Sequence, residues 1–189
     1  MPLDIQDHKD APAVKEDDIT SAPSEQLSER GRRAMQGHRE VRSAEKGSDF
    51  EGWARENIFK GEGRRLTVYP EDNPHLDKLG DGIGISKKRR QSDAFVDDYG
   101  EIYELKAGYK HSSIDKEQAY EYSLMQEAGK VYERDESGKR RKDPTEITGV
   151  SYIFDNQEGA KANQLELEQY GFGIFYRDEH GRLQQLKDK

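Results

Sequence analysis

Apolar residues are not spread along this chain. They begin in earnest at Phe50, and nothing before it repeats with the period of a helix or a strand. A segment without apolar periodicity cannot bury enough surface to offset the entropy of ordering its backbone. Residues 1–48 are rich in Pro, Ser, Gln, Asp, Glu and Arg, and are expected to form a mostly disordered tail or linker with a short helix near 24–36. The remainder, 49–189, has the size of one domain. Hydrophobic content over the whole chain is 31% against 37% charged, which understates the core available to that second part.

Ser48 and Asp49 are suitable N-caps for a helix with the apolar stripe Phe50, Trp53, Ala54, Asn57 and Ile58, stopped by Gly61 and Gly63. RLTVY (65–69) alternates and is β-branched, which predicts a strand, and 70–84 is a Pro- and Gly-rich loop. SDAFVDDYGEIYELKAG (92–108) reads as two short strands around a turn at Asp98-Tyr99-Gly100. Ser113 is placed to cap a helix over 114–128 that Gly129 ends, and 131–142 is a charged hairpin turning at Glu136-Ser137-Gly138. TGVSYIF (148–154) suits a sheet centre. A helix over 160–170 follows, with Ala162, Leu165 and Tyr170 on its stripe, then a strand GFGIFY (171–176), a turn at 178–181 and a polar end. The order is αβββαβαβ: an α/β domain in which helices flank a mixed sheet.

Several classes of protein are excluded or left without a signal. The chain has no cysteine, hence neither a disulfide framework nor a thiolate metal site. Its five histidines lack zinc-ligand spacing. His111, after the hairpin, reads as a solvated loop residue. No phosphate-binding G-K-[ST] loop, nucleophile elbow or dinucleotide fingerprint occurs. No apolar run is long enough to span a membrane, and the N-terminus lacks the pattern of a secretory signal. The net charge of −8 argues against binding nucleic acid through the overall field. Local basic clusters, Lys87 to Arg90 and Lys139 to Lys142, work the other way.

Chemistry concentrates in the hairpin. A symmetric turn sets Asp93 across from Glu104, with Cβ atoms about 4.5–5.5 Å apart. Asp93 then shares a face with Phe95 and Asp97, and Glu104 with Ile102 and Lys106. Two facing carboxylates repel, and a hard divalent cation relieves the repulsion by taking oxygen from both. The Leu105 carbonyl offers a further oxygen. Lys106 projects from the face of Glu104, where an ammonium can hold an attacking water and neutralise charge on a phosphate. These parts fit phosphodiester hydrolysis. Asp97, nearer the turn, reads as a surface residue, and Tyr120 and Tyr122 as helix packing and rim.

The pattern D-(x10)-E-x-K over Asp93, Glu104 and Lys106, after a helix and a strand and before another helix, resembles the PD-(D/E)xK nuclease superfamily with its restriction-endonuclease-like fold. The likeness covers 49–176, and Ser92 stands where the motif has Pro. It implies a Mg²⁺-dependent endonuclease, with Mn²⁺ as a substitute, whose acidic pair holds the metal while the lysine assists the water. It further implies a first-helix glutamate reaching the metal, which Glu51 matches, with Glu56 as second candidate. A glutamine early in the helix after E-x-K is matched by Gln118.

The small domain and polar leader resemble nuclease domains of bacterial polymorphic toxins. That likeness implies DNA as substrate, a cognate immunity protein, delivery as part of a larger toxin and a cytoplasmic site of action. Restriction-type members often act as homodimers. A phage or mobile-element nuclease is the sibling reading. A non-catalytic nucleic-acid- or protein-binding module with the same fold is the main competitor, and an acidic interaction protein with an accidental motif the third.

Overall fold

The computed structural model describes residues 43–79, 89–108 and 114–187. The tail before residue 43, the glycine-rich end of the 70–84 loop, Lys87, Lys88, His111 and Ser113 lie outside these residues.

Helix α1 spans Ser43–Ala54 and continues as a π-helical turn, Arg55–Phe59. Ser48 and Asp49 therefore lie inside the helix and do not cap it. The Ser-Ala-Glu-Lys run before them is compatible with helix, and Gly47 alone does not break it. The expected stripe of Phe50, Trp53, Ala54, Asn57 and Ile58 is buried. Asn57 is tolerated there because its amide donates to the Trp53 carbonyl. Lys60 and Gly61, at φ 45° and 84°, turn the chain left-handed out of the helix.

Strand β1, Thr67–Val68, is shorter than expected. Where the sequence suggests only loop, the chain makes a 3-10 turn, Pro70–Asp72, and helix α2, Pro74–Leu79. Proline fits a helix's first turn because no intrahelical bond is asked of its nitrogen. Buried Asn73 ties this segment to Tyr132, donating to its carbonyl and accepting from its amide.

The predicted first strand of the hairpin is divided. Its start, β2 (Arg90–Gln91), pairs with β1; its end, β3 (Ala94–Val96), pairs with β4 (Glu101–Lys106). Helix α3, Lys116–Ala128, follows. Its N-cap is Asp115, whose carboxylate accepts from the amides of Glu117 and Gln118, and Gly129 ends it at φ 74°. The expected charged hairpin is pinned by β5 (Lys130–Val131) against β6 (Thr145–Glu146). After β7 (Gly149–Phe154) the expected single helix is two, α4 (Gln157–Ala162) and α5 (Gln164–Glu168). Asn163 interrupts it, donating to the Gly159 carbonyl and accepting from the Ile114 amide. The break resets the helical phase, so Leu167 is buried and Leu165 is 78% exposed. Strand β8, Gly173–Arg177, leads to β9, Leu183–Gln185. The last strand carries a single apolar residue, too little to show a period.

The chain is thus mixed α/β, with a five-stranded sheet in the order β3-β4-β7-β8-β9. The inner strands β4, β7 and β8 are parallel, and each edge strand is antiparallel. Parallel neighbours require crossovers, and α3 and the α4–α5 pair supply them. One face packs Phe95, Ile102, Val150, Tyr152 and Phe154 against Tyr122 and Met125 of α3. The other packs Tyr103, Ile153 and Phe175 against Phe50, Trp53 and Ile58 of α1 and its π turn. Among the described residues no helix is long and apolar enough to cross a membrane.

Candidate active site

The strand break at Ser92 and Asp93 builds the site. Ser92 turns away from β4: its amide donates to the Leu66 carbonyl and its hydroxyl accepts from the Leu66 amide. That leaves the Leu105 amide without a main-chain partner on β3. The Asp93 carboxylate takes it, with Leu105 N to Asp93 Oδ2 at 2.7 Å. In return the Asp93 amide donates to Glu104 Oε2 at 3.2 Å. The β3–β4 register, Ala94 with Tyr103 and Phe95 with Ile102, is the one the symmetric turn predicts. Ser92 is here a structural residue, bonded to Leu66 through both its amide and its hydroxyl.

Asp93 departs from the expected alternation. Its carboxylate meets the edge of β4 at the Leu105 amide. Asp97 instead pairs with Arg64 at 2.6 Å, and Arg64 also reaches Glu133 at 2.8 Å. The Arg64 guanidinium holds the Asp97 carboxyl below its ordinary range, which fits a surface ion pair.

Glu104 and Lys106 lie on the α3 face of β4, on alternate positions with Ile102. Glu104 is 2% exposed. Burial pushes its carboxyl up to about 7, and the charge of Asp93 pushes the same way, while Lys106 and the Tyr122 hydroxyl pull it down. Lys106 Nζ donates to Glu104 Oε1 at 3.2 Å and to Gln118 Oε1 at 3.0 Å. Tyr122 OH donates to Glu104 Oε2 at 2.7 Å. Sequence reading missed this role of Tyr122. The available signal was spacing: Tyr122 stands four residues after Gln118, on the same helical face. Tyr152, the parallel neighbour of Glu104 on β7, holds a buried hydroxyl that has no hydrogen-bond partner among the described residues.

Asp93 also lines a cavity of about 210 Å³ together with Leu105, Glu51 and Glu56's neighbour Arg55, and with Arg64 and Arg65. Glu51 therefore shares a cavity wall with Asp93 and Leu105, whereas Glu56 is exposed and does not line it. The site sits at the carboxyl end of β4, where open α/β sheets characteristically take ligands. A larger cavity of about 620 Å³ opens at the other end of the strands, beside Glu101, Gly149 and Gly173, and holds none of the predicted site residues.

No protein-family model, curated protein or solved structure matches this chain. Function is therefore read from the residues themselves. An ionised carboxylate has about four lone-pair sites. Among the described residues Asp93 accepts one hydrogen bond, on Oδ2, and Glu104 accepts three, which leaves both with acceptor capacity toward those residues. Among the described residues no three His, Cys, Asp or Glu side chains gather into a ready-made cage. Carboxylates such as Asp93 and Glu104 are of the type that suits Mg²⁺, which binds through one or two carboxylates and keeps its waters.

Proposed function

We propose that the chain is a metal-dependent endonuclease that hydrolyses phosphodiester bonds, with DNA as substrate. In this reading it belongs with the PD-(D/E)xK nucleases and their restriction-endonuclease-like fold. The observation that carries the reading is the linkage at the end of β4. Asp93 and Glu104 are locked together across the hairpin, and Lys106 is held between Glu104 and Gln118.

Asp93, Glu104 and the Leu105 carbonyl would hold Mg²⁺ or Mn²⁺, with Glu51 on the same cavity wall. A bound divalent cation supplies Lewis-acid polarisation of the phosphate and lowers the pKa of water. The protein's own part is positioning and charge. Lys106 presents an ammonium where negative charge grows on the attacking oxygen and on the phosphoryl oxygens. Gln118 accepts one of its hydrogens and so fixes its direction. Tyr122 donates to Glu104 and favours the ionised acid against the cost of burial. Water adds its oxygen to phosphorus and gives up one proton, the bond from phosphorus to the ester oxygen breaks, and the departing oxygen takes up one proton, so that one water is consumed. The setting of such an enzyme, a toxin effector with its immunity protein or a mobile-element nuclease, rests on the sequence resemblance.

Plasmid nicking tests the proposal. Wild type should nick in Mg²⁺ and stop in EDTA, while Glu104→Gln and Lys106→Ala should remain folded and inactive. Wild type that leaves DNA and RNA intact in millimolar Mg²⁺ or Mn²⁺ would reject the reading in favour of a non-catalytic module.

A further inference from the structure

Three arginines line the cavity beside Asp93, and they are not equivalent. Arg64 is spent on the fold: its guanidinium donates to both Asp97 and Glu133. Arg55, from the π turn after α1, and Arg65, from the segment entering β1, are exposed. Among the described residues neither has an acidic partner. In a chain with more acids than bases, 39 against 31, two arginines left unpaired on the wall of one small cavity are conspicuous.

We propose that Arg55 and Arg65 are the phosphate-gripping residues of this site, holding the nucleic-acid backbone beside the scissile bond and reading its charge and not its bases. The inference rests on the nuclease reading and adds to it the substrate contacts and the mode of recognition. Arginine is suited to the role because its planar fork meets two phosphate oxygens at once. The charges also balance in the right sense. The acids Glu51 and Asp93 offset Arg55 and Arg65, so occupation of the acids by a divalent cation leaves the cavity positive and ready for a phosphodiester. Reading any base but guanine calls for more than arginine, such as a bidentate Asn or Gln on adenine. The wall is instead Glu51, Arg55, Arg64, Arg65 and Asp93, with apolar Phe59, Gly63, Ala94 and Leu105, and contains no Asn, Gln, Ser or Thr. Recognition by phosphate alone also answers the net charge of −8, since the positive potential is local.

The test uses the full chain with Arg55→Gln, Arg65→Gln and the double variant. Cleavage of a labelled oligonucleotide in Mg²⁺ is read as KM and kcat, and binding in EDTA is read by fluorescence anisotropy across a salt series. Each single variant should raise KM about tenfold, the loss of one charge-assisted contact, and leave kcat nearly unchanged. Each should also flatten the salt dependence by about one counterion. Oligonucleotides of different base sequence should give similar KM values. Wild-type cleavage with unchanged KM and salt slope in the variants would overturn the arginine assignment and leave the nuclease reading standing. Arginine-dependent binding without cleavage by wild type would uphold the assignment and remove the nuclease reading. Neither binding nor cleavage would overturn both, and a strong base-sequence preference would overturn backbone-only recognition.

Discussion

Asp93 and Glu104 exchange hydrogen bonds across the β3–β4 hairpin: the Asp93 amide donates to the Glu104 carboxylate, and the Asp93 carboxylate accepts the amide of the residue after Glu104. The acid pair is thus part of the strand pairing itself. Asp93→Ala should leave the Leu105 amide without this partner and cost about 1–3 kcal/mol in addition to activity. Asp93→Asn, which keeps an acceptor oxygen, should lose cleavage with a smaller loss of stability. Urea denaturation of the two variants checks this, and equal losses would show that the exchange contributes nothing to the fold.

Tyr122 donates to a carboxylate that has almost no access to water. Tyr122→Phe should destabilise the protein by about 1–3 kcal/mol, the cost of removing one donor from a buried charged acceptor. It should also weaken Mg²⁺-dependent cleavage. A variant as stable and active as wild type would reduce Tyr122 to packing.

Burial of Glu101 pushes its carboxyl up to about 7, although Ser151 and Tyr103 both donate to it. Its folded pKa exceeds the unfolded value of about 4.3, so the folded state binds the extra proton between those two pH values. The stability contributed by that proton is complete below about pH 4.3 and is lost as pH rises through about 7. Glu101→Gln should therefore remove a loss on the order of a few kcal/mol across this window. Denaturation midpoints at pH 5 and pH 8 measure it; an identical pH dependence in both proteins would contradict the assignment.

The two partners of Arg64 should behave differently. Glu133 is buried, also accepts from the Thr145 hydroxyl, and should cost about 1–3 kcal/mol when changed to Ala. Asp97 is exposed, and Asp97→Ala should fall within about 0.5 kcal/mol of wild type. Thermal denaturation ranks them, and an Asp97 effect as large as that of Glu133 would mean its charge is needed by the fold.

Cation binding to the native state alone must stabilise it. Mg²⁺ at about 100 times its Kd should add about 2.7 kcal/mol, and Asp93→Asn should lose most of that gain. A melting temperature indifferent to Mg²⁺ and Mn²⁺ would remove the metal from the proposal.

Much of the coarse fold was legible because local patterns and final contacts agree. The Asp98-Tyr99-Gly100 turn fixes the hairpin register, and the 148–154 apolar run is the central strand β7. The α1 stripe is buried as its spacing indicates. What escaped depends on partners distant in sequence. Nothing local in RQSDAFV says that its first residues pair with Thr67 and Val68 while its last pair with β4. Asn163 splits a helix because its side chain has the Ile114 amide to satisfy, forty-nine residues away. Tyr122 reads as packing until Glu104 is seen beside its hydroxyl.

The parallel pairing of β4 with β7 has a consequence in time. The hairpin that carries Asp93 and Glu104 closes over a short loop, early and cheaply. Gln118 and Tyr122 arrive only when the crossover helix is laid down and β7 docks against β4, a long-range event that comes slowly. Nascent or partly unravelled chains therefore carry the acids without their supports. If this protein cuts nucleic acid, the ability to cut arrives only once the helix and β7 have both docked on β4.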